Sequence, residues 1–226
     1  MDKKSRVFII NLKNYREILG EGTARLVAAA EKVANKSEVE IIVAPPVPML
    51  YSVTSKTKLP VFSQKVENRE EGKSTGSVIP EALKEIGCAG SLLNHSESRL
   101  PRAAIAEVIP RMKGLGLSTC LCAEGPAEIS SFAGLGTEFL AVEPPELIGT
   151  GMAVSKAKPD VILSSVRAAS EQFYPGRLLC GAGIVSGEDV RAAVKLGAEG
   201  ILVASSVVKA KDDWERKIQE LASALL

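Results

Sequence analysis

An eightfold alternation constrains this chain more than any other feature: short runs rich in Val, Ile and Leu are each followed by a longer stretch of helical character. The apolar runs predict strands at 7–11, 39–44, 60–64, 90–94, 118–123, 138–142, 178–181 and 200–203. Their hydrophobicity is continuous, which suits strands buried on both faces, as in parallel sheets. The stretches between predict helices at 23–35, 48–57, 80–86, 101–115, 126–132, 159–172, 186–196 and 213–225. Five of these starts carry a proline (Pro48, Pro80, Pro101, Pro126, Pro159), which fits a first helical turn because the missing N–H has no partner there anyway. Ser186, with Asp189 three residues on, predicts a helix N-cap, and Gly114, Gly116 and Gly197 read as helix stops. No linker, low-complexity tract or charge block divides the 226 residues, so a single domain over 1–226 is expected.

Eight such units fit either a closed barrel or a doubly wound open sheet, and handedness rules do not choose between them. The polar residues do. Asn11 and Lys13 follow the first strand, His95 the fourth, Glu143 the sixth, Gly181-Ala182-Gly183 the seventh and Ala204-Ser205-Ser206 the eighth. In a (β/α)8 barrel all those carboxyl ends converge on one mouth, whereas an open sheet scatters them. The barrel is therefore the expected fold, with the site at its mouth.

Composition narrows the partners. With 28 basic against 27 acidic side chains there is no field to recruit a polyanion, so nucleic acid is not expected, although a local site for a small phosphate is compatible with that balance. After the basic start, the apolar run at 7–10 is too short for the core of a signal peptide, and no stretch approaches a membrane span; a cytoplasmic protein without membrane contact is expected. The four cysteines (Cys88, Cys120, Cys122, Cys180) lie in apolar surroundings and are expected as buried, reduced thiols, the Cys120/Cys122 pair on opposite faces of a strand. A single histidine and no cysteine pair at metal-ligand spacing predict no metal centre.

His95 taken alone reads as a capped core residue. Placed directly after a buried strand, where a helix N-terminus points at it, the ring is expected to stay neutral and to donate a hydrogen bond to a substrate oxygen. Glu143 opens Glu143-Pro144-Pro145-Glu146-Leu147-Ile148-Gly149-Thr150-Gly151, a composition with stiff ends and a pliable centre that suits a hinged lid. Closure of such a lid excludes water and strengthens a carboxylate as a base toward a carbon acid. Asn11 and Lys13, two apart on an extended segment, are expected to share a face and project into the mouth. The small-residue loops at 181–184 and 204–206 let backbone N–H groups approach an anion.

Together these residues, and the run from Glu143 to Gly151 above all, resemble the triosephosphate isomerase family in its short archaeal branch. The resemblance covers nearly the whole chain and implies a TIM barrel that interconverts glyceraldehyde 3-phosphate and dihydroxyacetone phosphate without cofactor or metal. It implies Glu143 as the base, His95 as the electrophile, Lys13 and Asn11 as charge-stabilising and positioning groups, and Glu97 as a supporting carboxylate. It further implies phosphate contacts from Ile148, Gly149, Gly183, Ala204 and Ser205, and a homo-oligomer, dimer or tetramer, in which Thr75 of the long 65–79 segment sits beside a neighbouring subunit's site. Two departures stand out: Ala182 and Gly183 leave the seventh loop without the serine usual in bacterial and eukaryotic members, and Ser206 stands where many relatives have glycine. Another phosphate-sugar isomerase or epimerase, or a catalytically silent phosphate-binding barrel, are the alternative readings on the same fold.

Overall fold

The computed structural model describes residues 5–144 and 158–226. Among these, eight parallel strands run β1 Val7–Asn11, β2 Glu40–Ala44, β3 Phe62–Ser63, β4 Gly90–Leu93, β5 Ser118–Ala123, β6 Phe139–Val142, β7 Arg177–Cys180 and β8 Gly200–Val203. Their hydrogen-bonded order is β2-β1-β8-β7-β6-β5-β4-β3, and a parallel bridge between Val43 and Val61 joins the two ends, closing the barrel.

Strand alternation sorts the core into two layers. Val7, Ile9, Ile42, Phe62, Leu92, Cys120, Cys122, Phe139, Ala141, Leu179 and Leu202 form one buried cluster, the barrel interior. Their neighbours Phe8, Ile10, Ile41, Val43, Leu93, Leu121, Leu140, Val142, Leu178, Ile201 and Val203 belong to a second cluster that also contains helix residues such as Leu26, Ile109, Ile162 and Ile218. This is why both faces of the strands are largely apolar: each buries one set inward and the other against a helix. Glycine admits the bulky interior residues, since a Cβ at Gly90 would lie 2.7 Å from the Phe62 ring and one at Gly200 2.7 Å from Leu179.

The helices that cover the barrel depart from expectation where backbone chemistry intervenes. The predicted helix at 48–57 is a 3-10 turn, Val47–Met49, followed by a short helix, Leu50–Thr54. Pro80, Pro126 and Pro159 do open their helices, but Pro101 is the N-cap of Arg102–Gly114, a residue earlier than the first-turn position assigned to it. Gly114 is the last residue of that helix and not its stop; Gly116 takes the left-handed conformation (φ 70°) that ends it, and Gly197 (φ 101°) does the same after Gly187–Lys195. Ser186 caps Gly187–Lys195 reciprocally with Asp189, as the spacing predicted. A short helix, Ser205–Val208, follows β8, and Trp214–Ser223 ends the chain's described helices. Among the described residues no helix is long and apolar enough to cross a membrane.

Cys120 and Cys122 both face the barrel interior, correcting the expectation that they point to opposite faces: residues two apart on a strand share a face. All four cysteines are free and buried.

Candidate active site

Interior parity carries through to the mouth. Ile9 and Val7 point inward, so Asn11 at the end of β1 does too; Phe139 and Ala141 place Glu143 inward above β6; Leu179 does the same for Gly181 above β7. Asn11, Lys13, His95, Glu143, Gly183, Ala204 and Ser205 line one cleft there, joined by Tyr15, Gly181, Ile184, Val185 and Ser206.

His95 is the exception that parity alone does not explain. Gly90 and Leu92 lie on the interior side, so an extended chain would send Asn94 inward and His95 outward. Instead Asn94 adopts a left-handed conformation (φ 57°), one that Asn tolerates better than most residues. Its side chain secures the bend by donating to the Cys122 carbonyl (3.0 Å) and accepting from the Leu100 N–H (3.0 Å). His95 is thereby turned into the mouth. The expected helix N-terminus is not what orients the ring, because the next helix starts only at Arg102. A turn does that work: the Glu97 N–H donates to His95 Nδ1 (3.1 Å), and the Ser98 N–H to the His95 carbonyl (2.7 Å). With Nδ1 accepting, the proton of the neutral ring sits on Nε2, which faces Glu143 Oε2 at 3.8 Å.

Glu143 is 6% exposed, and its Oε2 has no hydrogen-bond partner. Burial pushes its carboxyl above the ordinary glutamate range; His95, a hydrogen bond from the Cys122 thiol and the Lys13 charge oppose that rise, and the Glu97 charge adds to it. The Cys122 thiol is held well above its usual range by its hydrogen bond to Cys120, by burial and by the Glu143 charge, so it is a neutral donor to the carboxylate and not a nucleophile. Gly181 has a different purpose from the one its loop suggests. A Cβ there would lie 2.3 Å from Glu143 Cγ, so glycine is what makes room for the carboxylate's stem.

Lys13 reaches the mouth by a route other than strand continuation. Its φ is 47°, not extended, and its N–H donates to the Asn11 side-chain oxygen (3.0 Å) in a local turn. Gln64 holds this turn against the sheet by donating to the carbonyls of Lys13 (3.1 Å) and Ala44 (3.0 Å). The ammonium meets Glu97 Oε1 at 2.7 Å, with the lysine side chain 14% exposed and the glutamate 61%. Glu97 thus lines the adjoining cavity with Lys13 and His95 and does not enter the first cleft.

At the other end of the cleft, the Gly183 N–H meets no acceptor among the described residues, and those of Ser205 and Ser206 open a helix, where no intrahelical acceptor exists. Ile148 and Gly149, with the rest of the expected lid segment after Pro144, lie outside the described residues. Among the described residues no three His, Cys, Asp or Glu side chains are grouped as metal ligands. Sequence reading missed Tyr15, which lines the cleft, and Asn94 and Gln64, which support the turns that carry His95 and Lys13; no motif marks them.

A neutral imidazole N–H, a dry carboxylate and an ammonium around one cleft can move a proton between neighbouring carbons while holding charge on their oxygens. The sequence pattern of triosephosphate isomerase matches residues 6–224. The triosephosphate isomerase of Methanocaldococcus jannaschii is 45% identical over 95% of this chain and 98% of its own length. That of Caldivirga maquilingensis is 44% identical over 99% of both chains, and that of Pyrobaculum calidifontis 44% identical over 97% of this chain and 96% of its own.

Proposed function

The chain belongs to the triosephosphate isomerase family and is an aldose–ketose isomerase, and from that premise we propose how its residues divide the work. The substrate is a phosphorylated triose, D-glyceraldehyde 3-phosphate or dihydroxyacetone phosphate. The Glu143 carboxylate takes a proton from the carbon beside the carbonyl, leaving an enediolate, and returns it to the neighbouring carbon. His95 Nε2–H donates to the substrate oxygens as charge develops on them, and Lys13 balances that charge from the adjacent wall. Asn11 positions the oxygens, and Glu97 holds the Lys13 ammonium. The amides of Gly183 and Ser205, with Ala204, and Ile148 and Gly149 from the sixth loop, grip the phosphate. No cofactor or metal takes part.

One observation carries this reading: Glu143 Oε2 and His95 Nε2 stand 3.8 Å apart, both nine-tenths buried, with the carboxylate oxygen unpaired. A base with one dry, unpaired oxygen is poised to accept a proton there, and a donor beside it is poised to stabilise the charge that develops on the substrate without reorganisation. Turnover in D2O tests the chemistry. Deuterium is expected on the product carbon that receives the proton, by exchange at Glu143. Complete retention of the original hydrogen with no solvent label would mean hydride transfer and would remove the enediolate.

The run opened by Glu143, with its pliable tip at Gly149-Thr150-Gly151, acts as the lid, and the chain works as one catalytic domain in a cytoplasmic homo-oligomer, dimer or tetramer. The 65–79 segment supports the oligomer: its ends are tied by Glu67 N–H to the Val78 carbonyl (2.8 Å), Arg111 anchors Asn68 and Arg69 (3.0 and 2.8 Å), and Thr75 stands exposed between them. An ordered arm with an exposed tip is built to be received by another surface.

A further inference from the structure

Ser206 carries a hydroxyl whose state the site described so far does not use. Its Oγ is buried and has no hydrogen-bond partner, although the residue lines the same cleft as His95 and Glu143. Its neighbours differ. Ser186, at the far end of the seventh loop, has its hydroxyl engaged with Asp189 (2.9 Å). Ala182 and Gly183, nearer the cleft, have no side-chain donor at all. Ser205 is not among the buried unpartnered groups.

The backbone that carries Ser206 is fixed at both ends. Val207 and Val208 N–H donate to the Ala204 carbonyl (3.2 and 3.0 Å), and Trp214 Nε1 donates to the Val208 carbonyl (2.9 Å), pinning Ser205–Val208 between β8 and the last helix. A dry hydroxyl on a pinned backbone is costly to leave unpaired, yet its hydrogen turns freely about Cβ–Oγ and needs only an acceptor. We infer that Ser206 is a substrate-binding residue whose hydroxyl donates to the substrate's phosphate dianion, supplying the side-chain donor that the seventh loop lacks. This rests on the phosphate being seated at the seventh and eighth loops. A charge-assisted bond of this kind, already desolvated, distinguishes a dianion from a neutral hydroxyl in the same place.

Inorganic phosphate, as a competitive inhibitor of the isomerase reaction, is the probe. Ser206→Ala is expected to weaken its inhibition constant about tenfold and to lower kcat/KM by a similar factor, the size of one charge-assisted hydrogen bond. Ser206→Thr, which keeps the hydroxyl, is expected to restore phosphate inhibition to within about threefold of the original, consistent with loss of the donor and not of local packing. Phosphate inhibition unchanged in Ser206→Ala, or equally weakened in Ser206→Ala and Ser206→Thr, would overturn the assignment of Ser206 alone. If phosphate failed to compete with substrate in the unsubstituted protein, the seating of the phosphate at these loops would be wrong, and the inference with it.

Discussion

Glu143 is expensive to the fold. Its carboxyl is buried, unpaired at Oε2 and pushed above the ordinary glutamate range. A group whose folded pKa is raised stabilises fully below its unfolded value, near 4.5, and that contribution is lost as pH rises through the folded value. Above that folded value the ionised side chain therefore destabilises the protein it serves. Glu143→Gln is expected to be inactive yet to melt higher than the unsubstituted chain at pH 7, by about 2–4 °C for each kcal/mol recovered. The difference should shrink toward zero as pH falls below the raised value; melting curves from pH 4 to 8 check this, and an equal gap at every pH would show that burial is not the cause. The same shift places the acid limb of kcat/KM above the ordinary glutamate range, with activity lost as pH falls through it.

At the level of elements, the loops are shaped by what the strands point at them. Gly181 follows β7 as Glu143 follows β6, and a Cβ at Gly181 would lie 2.3 Å from Glu143 Cγ. Gly181→Ala is expected to displace the carboxylate and lower kcat on the order of 10²-fold while the fold survives; near-normal turnover would mean that Glu143 has another place to stand. Shortening 147–151, the sixth-loop tip, is expected to uncover the enediolate, so that inorganic phosphate and methylglyoxal form at the expense of isomerisation; a shortened variant that isomerised normally and released no phosphate would remove the lid. Much of this architecture was legible in the sequence, because strands buried on both faces are continuous apolar runs and each site residue closes one of them. β3 was legible as a place but not in length: Pro60 has no N–H to give, so it enters the sheet only by accepting from Val43 (3.1 Å), and Phe62–Ser63 is all that pairs regularly. The inward turn of His95 was not legible, since it depends on Asn94 taking a left-handed conformation, and neither was the bend at Lys13, which Gln64 secures from fifty residues away in sequence. Local pattern gives the period of a strand; it does not give the residue at which the period breaks.

For the whole molecule, the barrel gathers residues from several strand ends into one cleft, and the 65–79 segment leaves Thr75 exposed. Sedimentation at micromolar concentration is expected to show a dimer or tetramer, and a fully active monomer would take Thr75 out of the site. Prolonged treatment with chelator is expected to leave turnover unchanged, while restoration of a lost activity by zinc or magnesium would contradict a metal-free proton transfer. The central claim is that Glu143 itself takes the proton, and a coupled isomerase assay of the chelator-treated protein beside its Glu143→Asp variant tests it most directly. Withdrawing the carboxylate by about 1 Å is expected to lower kcat on the order of 10²-fold while inhibition by a simple phosphate ester persists, as a phosphate grip proposed for other loops requires. A Glu143→Asp enzyme with kcat close to that of the unsubstituted chain, alongside an inactive Glu97→Gln, would place the base elsewhere and contradict the account.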